Sequence, residues 1–509
     1  MMRREFLASL LACAALPAHG QQADGPVGLR LGAAEPFDHD DLRAMARRMA
    51  AAPHVPAQRI PQAWSDINYD TYRAIWFDTR NALWQGEAQA PFRVDMFPPG
   101  LYFPTPVRMD VIEDGTARPV LFDMQVFDRT DRFPDLPVDD TLGYSGFRLR
   151  AELETPGIYT EFAVFQGASY FRGIGTGQIY GLSARGLALD TGEPSGEEFP
   201  EFRHFWIERP DRGANAIIVH ALLDSPSCTG AYRFRIRPGA ALEIGVEAEV
   251  FARRQLRHVG LGALTSMFQF DATNRDRFSD FRPAVHDSDG LLIHNGAGET
   301  LWRPLANPRE LQLSAFRDND PRGFGLMQRS QDFDDFSDLE ALYHRRPSVW
   351  IVPRGGWGRG AVTLVEIPTE DEIYDNIVAY WRPDTPVEGG GSLAFAYDMS
   401  WSGATAWGNG LRVIDTRAGQ VRSDGIIFAV DFENGPDLPA DLGEVRATVR
   451  SSAGEVSTGI LQRNPSTGGA RFSFTLRPGT ATLAEMRAEL RTADGAALSE
   501  TWLYRWTAE

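Results

Sequence analysis

Carboxyl groups set among apolar residues are the side chains of this sequence best suited to chemistry. They concentrate in two stretches, 282–290 with Asp287 and Asp289, and 365–378 with Asp375. Two carboxyl groups on opposite sides of a sugar bond are the minimum equipment for cleaving it, because one protonates the leaving oxygen while the other accepts a proton from the attacking group. The two stretches are therefore the first place to look for a functional site, and acid–base chemistry of this kind is one reaction that they could support.

Each of these carboxyl groups also has a simpler interpretation. Asp287 and Asp289 follow the strand-like run 281–285 and fit a pair of Asx turns that closes a hairpin. The acidic run 370–372 follows Pro-Thr and is typical of a solvated loop tip. Asp375 lies directly before an apolar run, where partial burial would keep an acid protonated near neutral pH, but the same position suits a strand-end cap.

Other catalytic chemistries find little support. The sequence contains no Gly-x-Ser-x-Gly elbow, His-Glu-x-x-His, Cys-x-x-Cys or Walker loop, and the glycine cluster 173–177 is typical of a tight turn. His286 beside Asp287 and Asp289 is the only group suggestive of a metal, and no second ligand cluster has zinc or calcium spacing. We therefore expect neither a metal ion nor a cofactor.

The composition disfavours a nucleic-acid partner and a membrane-spanning segment. The 509 residues carry a net charge of −18, which would repel the phosphate backbone of DNA or RNA and disfavours a nucleic-acid partner. A neutral, hydroxyl-rich ligand fits better, and the 12 Trp and 13 Tyr supply rings that stack on sugars as well as core. Beyond the N-terminus no segment reaches the ~18 apolar residues of a spanning helix, so no stable membrane span is expected.

The N-terminus predicts export. Residues 1–20 have a basic start, a short apolar stretch and small residues before Gln21, as in a signal peptide, and Arg3-Arg4 resembles a twin-arginine motif. A lipoprotein box ending at Cys13 is the alternative. The mature chain is expected to be soluble and periplasmic, with Cys228 as a lone, buried thiol outside any disulfide.

Residue periodicity predicts a mainly antiparallel β protein. One helix begins after Asp38, with apolar residues at i, i+3, i+4 and i+7, and Pro53 closes it. Period-two alternation marks strands such as 242–250 and 393–399. The Pro- and Gly-rich stretch 382–391 predicts a linker between a large β-sandwich, residues 21–385, and an immunoglobulin-like domain, residues 386–509.

Long sequence blocks resemble those of a known family. They include 167–172, 180–188, 195–200, 205–210, 221–226, 264–268, 286–290, 302–305, 323–326, 346–348, 365–369 and 375–381. On these blocks the chain is identified as a member of the osmoregulated periplasmic glucan biosynthesis family, also called the glucans biosynthesis G/D proteins. The resemblance implies a galactose-mutarotase-like β-sandwich followed by an immunoglobulin-like domain, and action on linear β-1,2-glucan by an inverting mechanism.

The same resemblance implies a role for three residues. Asp375 would be the general acid, Asp287 the general base, and Tyr343 would relay the proton from the nucleophile to that base. It also leaves open a homodimer and a functional link to a membrane glucan synthase. A non-catalytic β-1,2-glucan-binding or scaffold protein of glucan assembly is the alternative function.

Two departures from the family pattern leave the reaction open. Tyr374 stands where enterobacterial members have Asn, and the segment 402–424, which in the family folds over the active cleft, is shorter here. Such a cover controls whether water or a sugar hydroxyl reaches the anomeric carbon. The implied reaction is therefore endo-hydrolysis, or transglycosylation that closes a ring through an α-1,6 bond.

Overall fold

The fold was analysed on a computed structural model, which describes residues 28–128, 133–403, 408–421 and 425–508. The predicted signal peptide, residues 1–20, and Cys13 lie outside this part of the chain. Within it, no helix is both long and apolar enough to cross a membrane.

Strands dominate the structure, at 46% against 8% helix, and confirm the predicted mainly β, sandwich-type class. The α-helices are α1 His39–Ala50, α2 Gln62–Ser65 and α3 Tyr69–Arg73. Short 3₁₀ turns are Thr79–Asn81, Met124–Val126, Arg275–Arg277, Phe333–Asp335, Tyr343–Arg345 and Leu442–Glu444.

The strands of the first half of the chain are β1 Glu35–Pro36, β2 Trp76–Phe77, β3 Phe92–Phe97, β4 Arg108–Glu113, β5 Thr116–Pro119, β6 Phe127–Asp128, β7 Gly146–Glu152, β8 Tyr159–Gln166, β9 Tyr170–Gly173, β10 Ser183–Arg185, β11 Ala188–Leu189, β12 Glu201–Glu208, β13 Ile217–Asp224, β14 Cys228–Arg237, β15 Leu242–Ala252 and β16 Val259–Ser266. Those of the second half are β17 Phe268–Phe270, β18 Val285–His286, β19 Gly290–His294, β20 Thr300–Pro304, β21 Gln312–Asn319, β22 Gly323–Met327, β23 Ser348–Arg354, β24 Arg359–Glu366, β25 Ile377–Pro383, β26 Ser392–Ser402, β27 Val413–Val421, β28 Gly425–Phe432, β29 Val445–Ser451, β30 Glu455–Val456, β31 Ile460–Arg463, β32 Ala470–Arg477, β33 Leu483–Thr492 and β34 Thr501–Thr507.

The chain forms two compact units. Unit 1 comprises residues 1–264 and 380–402, and unit 2 comprises residues 265–379 and 403–509. Strand β26 follows the predicted linker and pairs along its length with β15, so it belongs to unit 1. Within the linker itself, Val387 pairs through both backbone groups with Leu256. The domain boundary at residue 385 stays a prediction.

Unit 1 is a β-sandwich. One layer contains the strand run β1–β5–β4–β12–β13–β14–β15–β26, and the other contains the run β16–β10–β9–β8–β7–β3. Rings from the two sheets meet between them, as in the edge-to-face pairs Phe165–Phe234 and Phe147–Phe205 with centroids 5.3 and 5.1 Å apart. This aromatic layer is the core that the alternating strand pattern predicted.

The predicted helix is confirmed as α1. Asp38 caps it by accepting a hydrogen bond from the Asp40 amide at 2.7 Å. Leu42 and Ala46 are buried in a cluster with Trp206 and Phe251 of the first sheet. The helix ends at Ala50, close before Pro53, because a proline disfavours helical backbone at the residue that precedes it.

Unit 2 contains two runs of hydrogen-bonded strands that share one core. One has the order β23–β22–β19–β20–β34–β33–β29, and the other has the order β27–β28–β32–β30, with β31 on β32. Their facing side chains build a core that includes Trp302, Phe428, Phe474 and Trp502. The immunoglobulin-like domain predicted for residues 386–509 stays a prediction.

Cys228 is buried and is a free thiol, as predicted. Burial raises its pKa to about 12, so the thiolate that would react is scarce at neutral pH. The residue acts as a small apolar side chain.

Candidate active site

Asp287 lies at the end of a short hairpin in unit 2. Strands β17 and β18 pair through Phe268 and His286, and the Asp287 amide donates to the Met267 carbonyl at 2.8 Å. The expected strand over 281–285 is wrong, because only Val285–His286 is extended and paired, and Phe281 is 76% exposed. The Asp287 side chain is fully buried.

A buried ion pair holds the Asp287 carboxylate. Its partner is the Arg346 guanidinium, and the two side chains are 0% and 1% exposed. Arg346 also donates to the Ala341 carbonyl at 3.0 Å, which satisfies a further guanidinium N–H. Burying both charges together compensates much of the desolvation that either would suffer alone. Asp287 is thus held by Arg346 and not by an Asx turn.

Tyr343 connects this ion pair to the second acidic stretch. It begins the 3₁₀ turn Tyr343–Arg345 after Leu342, whose φ of 47° is left-handed. The Arg346 guanidinium lies 4.2 Å from the centroid of the Tyr343 ring. The Tyr343 hydroxyl donates to Glu372 Oε2 at 3.3 Å. One side chain therefore touches both the partner of Asp287 and the segment that leads to Asp375.

The structure contradicts the sequence interpretation of the loop that contains Glu372. The run 370–372 was expected to be a solvated tip, but Glu372 is only 8% exposed. Arg282 forms an ion pair with it at 2.8 Å and also binds Asp280 and Asp338. Local sequence could not reveal this burial, because the residues that cover Glu372 come from distant parts of the chain.

Asp375 lies immediately before strand β25, on a segment fixed by its neighbour. The residue is half-buried, and its Oδ1 atom is buried. The next residue, Asn376, is 1% exposed and accepts from the Phe268 amide at 2.8 Å. The Asn376 amide donates in turn to the carbonyls of Phe268 and Ile367, at 2.9 and 3.1 Å.

A second asparagine fixes the start of the same loop. Asn307, also 1% exposed, donates to the Thr369 carbonyl at 2.7 Å and accepts from its amide at 3.0 Å. It further donates to the Gln269 carbonyl at 3.2 Å. Both asparagines thus tie the loop of Asp375 to strand β17, and β17 is the strand that holds Asp287 through β18. Sequence reasoning missed Asn307, Asn376 and Arg346, although the last two stand in the family-like blocks.

Asp289 makes different contacts from those of Asp287. Its Oδ2 accepts the backbone amides of Arg329 and Ser330 at 2.8 and 3.1 Å, which joins the hairpin end to the next segment. Burial raises the pKa of Asp289 to about 7. It is a structural carboxyl group that bridges two segments.

The suggestive trio of His286, Asp287 and Asp289 does not converge. The His286 ring meets Gln328 at 2.8 Å, and burial lowers the pKa of His286 to about 4. Its ring also stacks against Phe268, with centroids 5.5 Å apart. The three side chains therefore face three different partners.

Comparison with known proteins identifies the family. The family described as "Periplasmic glucan biosynthesis protein, MdoG" matches residues 37–506. The chain belongs to this family. The MdoG match covers all of the candidate site, from Phe268 to Asn376.

Individual relatives agree with the MdoG assignment. The chain is 47% identical over 479 residues to "Glucans biosynthesis protein G" of Vibrio cholerae serotype O1, covering 92% of this chain and 87% of that protein. It is 46% identical over 477 residues to "Glucans biosynthesis protein G 1" of Shewanella oneidensis, with the same coverage. "Glucans biosynthesis protein G" of Rhodopseudomonas palustris is 45% identical over 517 residues and covers both chains fully.

Proposed function

We propose that this chain is a periplasmic enzyme of glucan biosynthesis that acts on linear β-1,2-glucan with inversion at the anomeric carbon. Its membership of the MdoG family supports glucan biosynthesis and a periplasmic location. The export-signal pattern of residues 1–20 supports the same location. The acid–base chemistry rests on Asp375, Asp287 and Tyr343.

The observation that carries this proposal is the position of Tyr343. Its ring lies on Arg346, the partner of Asp287, and its hydroxyl binds Glu372, three residues before Asp375. A hydroxyl group both donates and accepts a proton, so a tyrosine between two acidic segments suits a proton relay.

The reaction follows from these roles. Asp375 donates its proton to the glycosidic oxygen as the bond to the anomeric carbon breaks. An oxygen nucleophile attacks that carbon from the opposite face, and its proton leaves through the Tyr343 hydroxyl toward Asp287. Asp375 ends ionised and Asp287 protonated, and solvent restores both. Water as nucleophile gives hydrolysis, and a 6-hydroxyl of the same chain gives an α-1,6-closed ring.

The test is mass spectrometry of the products from purified mature protein and linear β-1,2-glucan. We expect Asp375→Asn to lower the turnover rate by about 10²–10⁴-fold, the usual contribution of a positioned acid. Glu370→Gln is the matched control, because Glu370 lies in the same loop, is exposed and should react like wild type. Fragments with one added water indicate hydrolysis, and products without the terminal water indicate ring closure.

Two outcomes would overturn the proposal. Equal rates for Asp375→Asn and wild type would remove Asp375 from the chemistry. Unchanged glucan in the wild-type reaction, together with calorimetric binding of the same glucan, would favour the non-catalytic glucan-binding or scaffold protein.

A further inference from the structure

A groove in unit 2 is not used by the mechanism above. It has a volume of about 630 Å³ and lies between the segment after β17, the segment between β20 and β21, and strands β27, β28 and β34. We name it the C-terminal groove and define it by Asn274, Arg275, Asn307, Gln312, Gly419 and Trp506. We infer that the C-terminal groove is a distal subsite for the β-1,2-glucan chain, an inference that rests on the proposed function.

The lining has the chemistry of a sugar site. Trp506 is half-buried, so part of its indole remains open to a ligand. Gln312 and Gln420 add amide groups, and amides both donate to and accept from hydroxyls. An apolar ring with a few placed polar groups is the usual lining of a small-molecule site, and a pyranose presents a matching apolar face and hydroxyl rim.

The groove shares its wall with the candidate active site. Asn307 lines the groove and also holds both backbone groups of Thr369, at the start of the Asp375 loop. Asn274 accepts from the Asp271 amide at 3.0 Å, while Gln269 donates to the Glu370 carbonyl at 2.9 Å. A polymer cleaved within its length extends beyond the cleaved bond. The adjoining groove therefore fits the outgoing chain better than it fits an unrelated ligand.

The groove is lined mainly by positive charge, and this bears on which ligands it can bind. Four arginines and one aspartate line it, in a chain of net charge −18. Guanidinium N–H groups donate to hydroxyls as well as to anions. Arg505 is already paired with Glu485 at 2.5 Å, and Arg275 donates to the Asp280 carbonyl at 3.1 Å. We expect neutral glucan to bind here with little dependence on salt.

The experiment compares long and short chains. Binding of long linear β-1,2-glucan and of a short β-1,2-oligosaccharide is measured by calorimetry in Asp375→Asn protein, which slows turnover during the titration. We expect Trp506→Ala to raise the Kd of the long chain about tenfold and to leave that of the short one unchanged, because only the long chain reaches the groove. Trp506→Phe keeps a ring and should bind close to the parent.

A second variant separates lost contacts from lost folding. Trp506 packs partly against the core of unit 2, so its removal also affects stability. Gln420 is exposed and lines the groove on the same strand face as its partner Ile426, so Gln420→Ala removes a groove contact at little structural cost. It should weaken long-chain binding in the same way. Trp76→Ala, at an exposed Trp of unit 1, is the control that should leave binding unchanged.

The outcomes distinguish the two proposals. If neither Trp506→Ala nor Gln420→Ala changes the ratio of long-chain to short-chain Kd, the subsite is wrong even where turnover is normal. Tight binding of an acidic polysaccharide but not of neutral glucan would also overturn it. If wild type shows no turnover but both variants lose long-chain affinity, the subsite stands and the enzyme proposal fails.

Discussion

Arg346 and Glu372 contact different parts of the Tyr343 side chain. The Arg346 guanidinium fixes the ring, while Glu372 accepts from the hydroxyl. Glu372 keeps its ion pair with Arg282 whatever happens to Tyr343. Removing the Tyr343 hydroxyl should therefore leave the ring contact with Arg346 and the Arg282–Glu372 ion pair in place.

Tyr343→Phe should lower kcat while leaving the melting temperature nearly unchanged. The ring stays over Arg346 and Glu372 stays paired, so folding loses one long hydrogen bond while the proposed relay loses its only proton. We expect a fall in kcat of about 10²-fold or more in the glucan assay, within the range for general acid–base groups. Tyr102→Phe, at an exposed tyrosine, is the control. A kcat within twofold of wild type would exclude Tyr343 from proton transfer.

Asp289→Asn should change how stability depends on pH. Burial raises the pKa of Asp289 in the folded protein to about 7 from 3.8, so between these values the folded state binds a proton that the unfolded state does not. Wild-type stability from this group therefore increases as pH falls from 8 toward 4, by at most about 4 kcal/mol at 1.36 kcal/mol per pKa unit. Asn does not titrate.

The measurement is the free energy of unfolding of both proteins from denaturant titrations across pH 4–8. Taking the difference between the two profiles removes shared contributions, such as that of His286, whose pKa is lowered and which acts in the opposite direction. Parallel profiles would show that Asp289 is not the titrating group.

At the scale of elements, two asparagines fix the loop that contains Asp375 to strand β17. Asn376 alone makes three hydrogen bonds to backbone groups of Phe268 and Ile367, all buried or partly buried. Because a buried backbone group left unpaired costs about 1–3 kcal/mol, this side chain positions Asp375 as well as stabilising the loop.

Asn376→Ala should therefore lower both stability and activity without removing any proposed proton donor. We expect the free energy of unfolding to fall by about 2–4 kcal/mol, since up to three backbone groups lose their partner. Denaturant titration measures the stability, and the glucan assay measures kcat. Asn319→Ala, at an exposed strand end, should change stability by no more than about 0.5 kcal/mol. Unchanged kcat in Asn376→Ala would mean that Asp375 does not depend on this contact.

The sequence predicted local elements better than the contacts between them. Helix α1 with its Asp38 cap and the alternating strand β15 follow from neighbouring residues, because capping and side-chain period are local. The burial of Glu372 and the Arg346–Asp287 pair do not. Arg346 lies 59 residues from Asp287, and Asn376 lies 108 residues from Phe268, so only the folded sheet brings them together.

At the scale of the whole molecule, the proposed functional residues all lie in one of the two compact units. Asp287, Tyr343 and Asp375 all lie in unit 2, as does the C-terminal groove. Unit 2 also contains the core that includes Trp302, Phe428 and Trp502. Within the segment 402–424, residues 413–421 form strand β27, and residues 418–420 of this strand line the groove. The predicted covering role of that segment stays a prediction.

The central claim is inversion by Asp375 and Asp287, and NMR of the anomeric protons tests it most directly. Linear β-1,2-glucan is mixed with purified protein, and the first new anomeric signals are recorded before mutarotation can mix them. The account predicts α signals, from a free reducing end after hydrolysis or from an α-1,6 bond after ring closure, and their loss in Asp375→Asn. New β signals, or α signals that persist in Asp375→Asn, would contradict it.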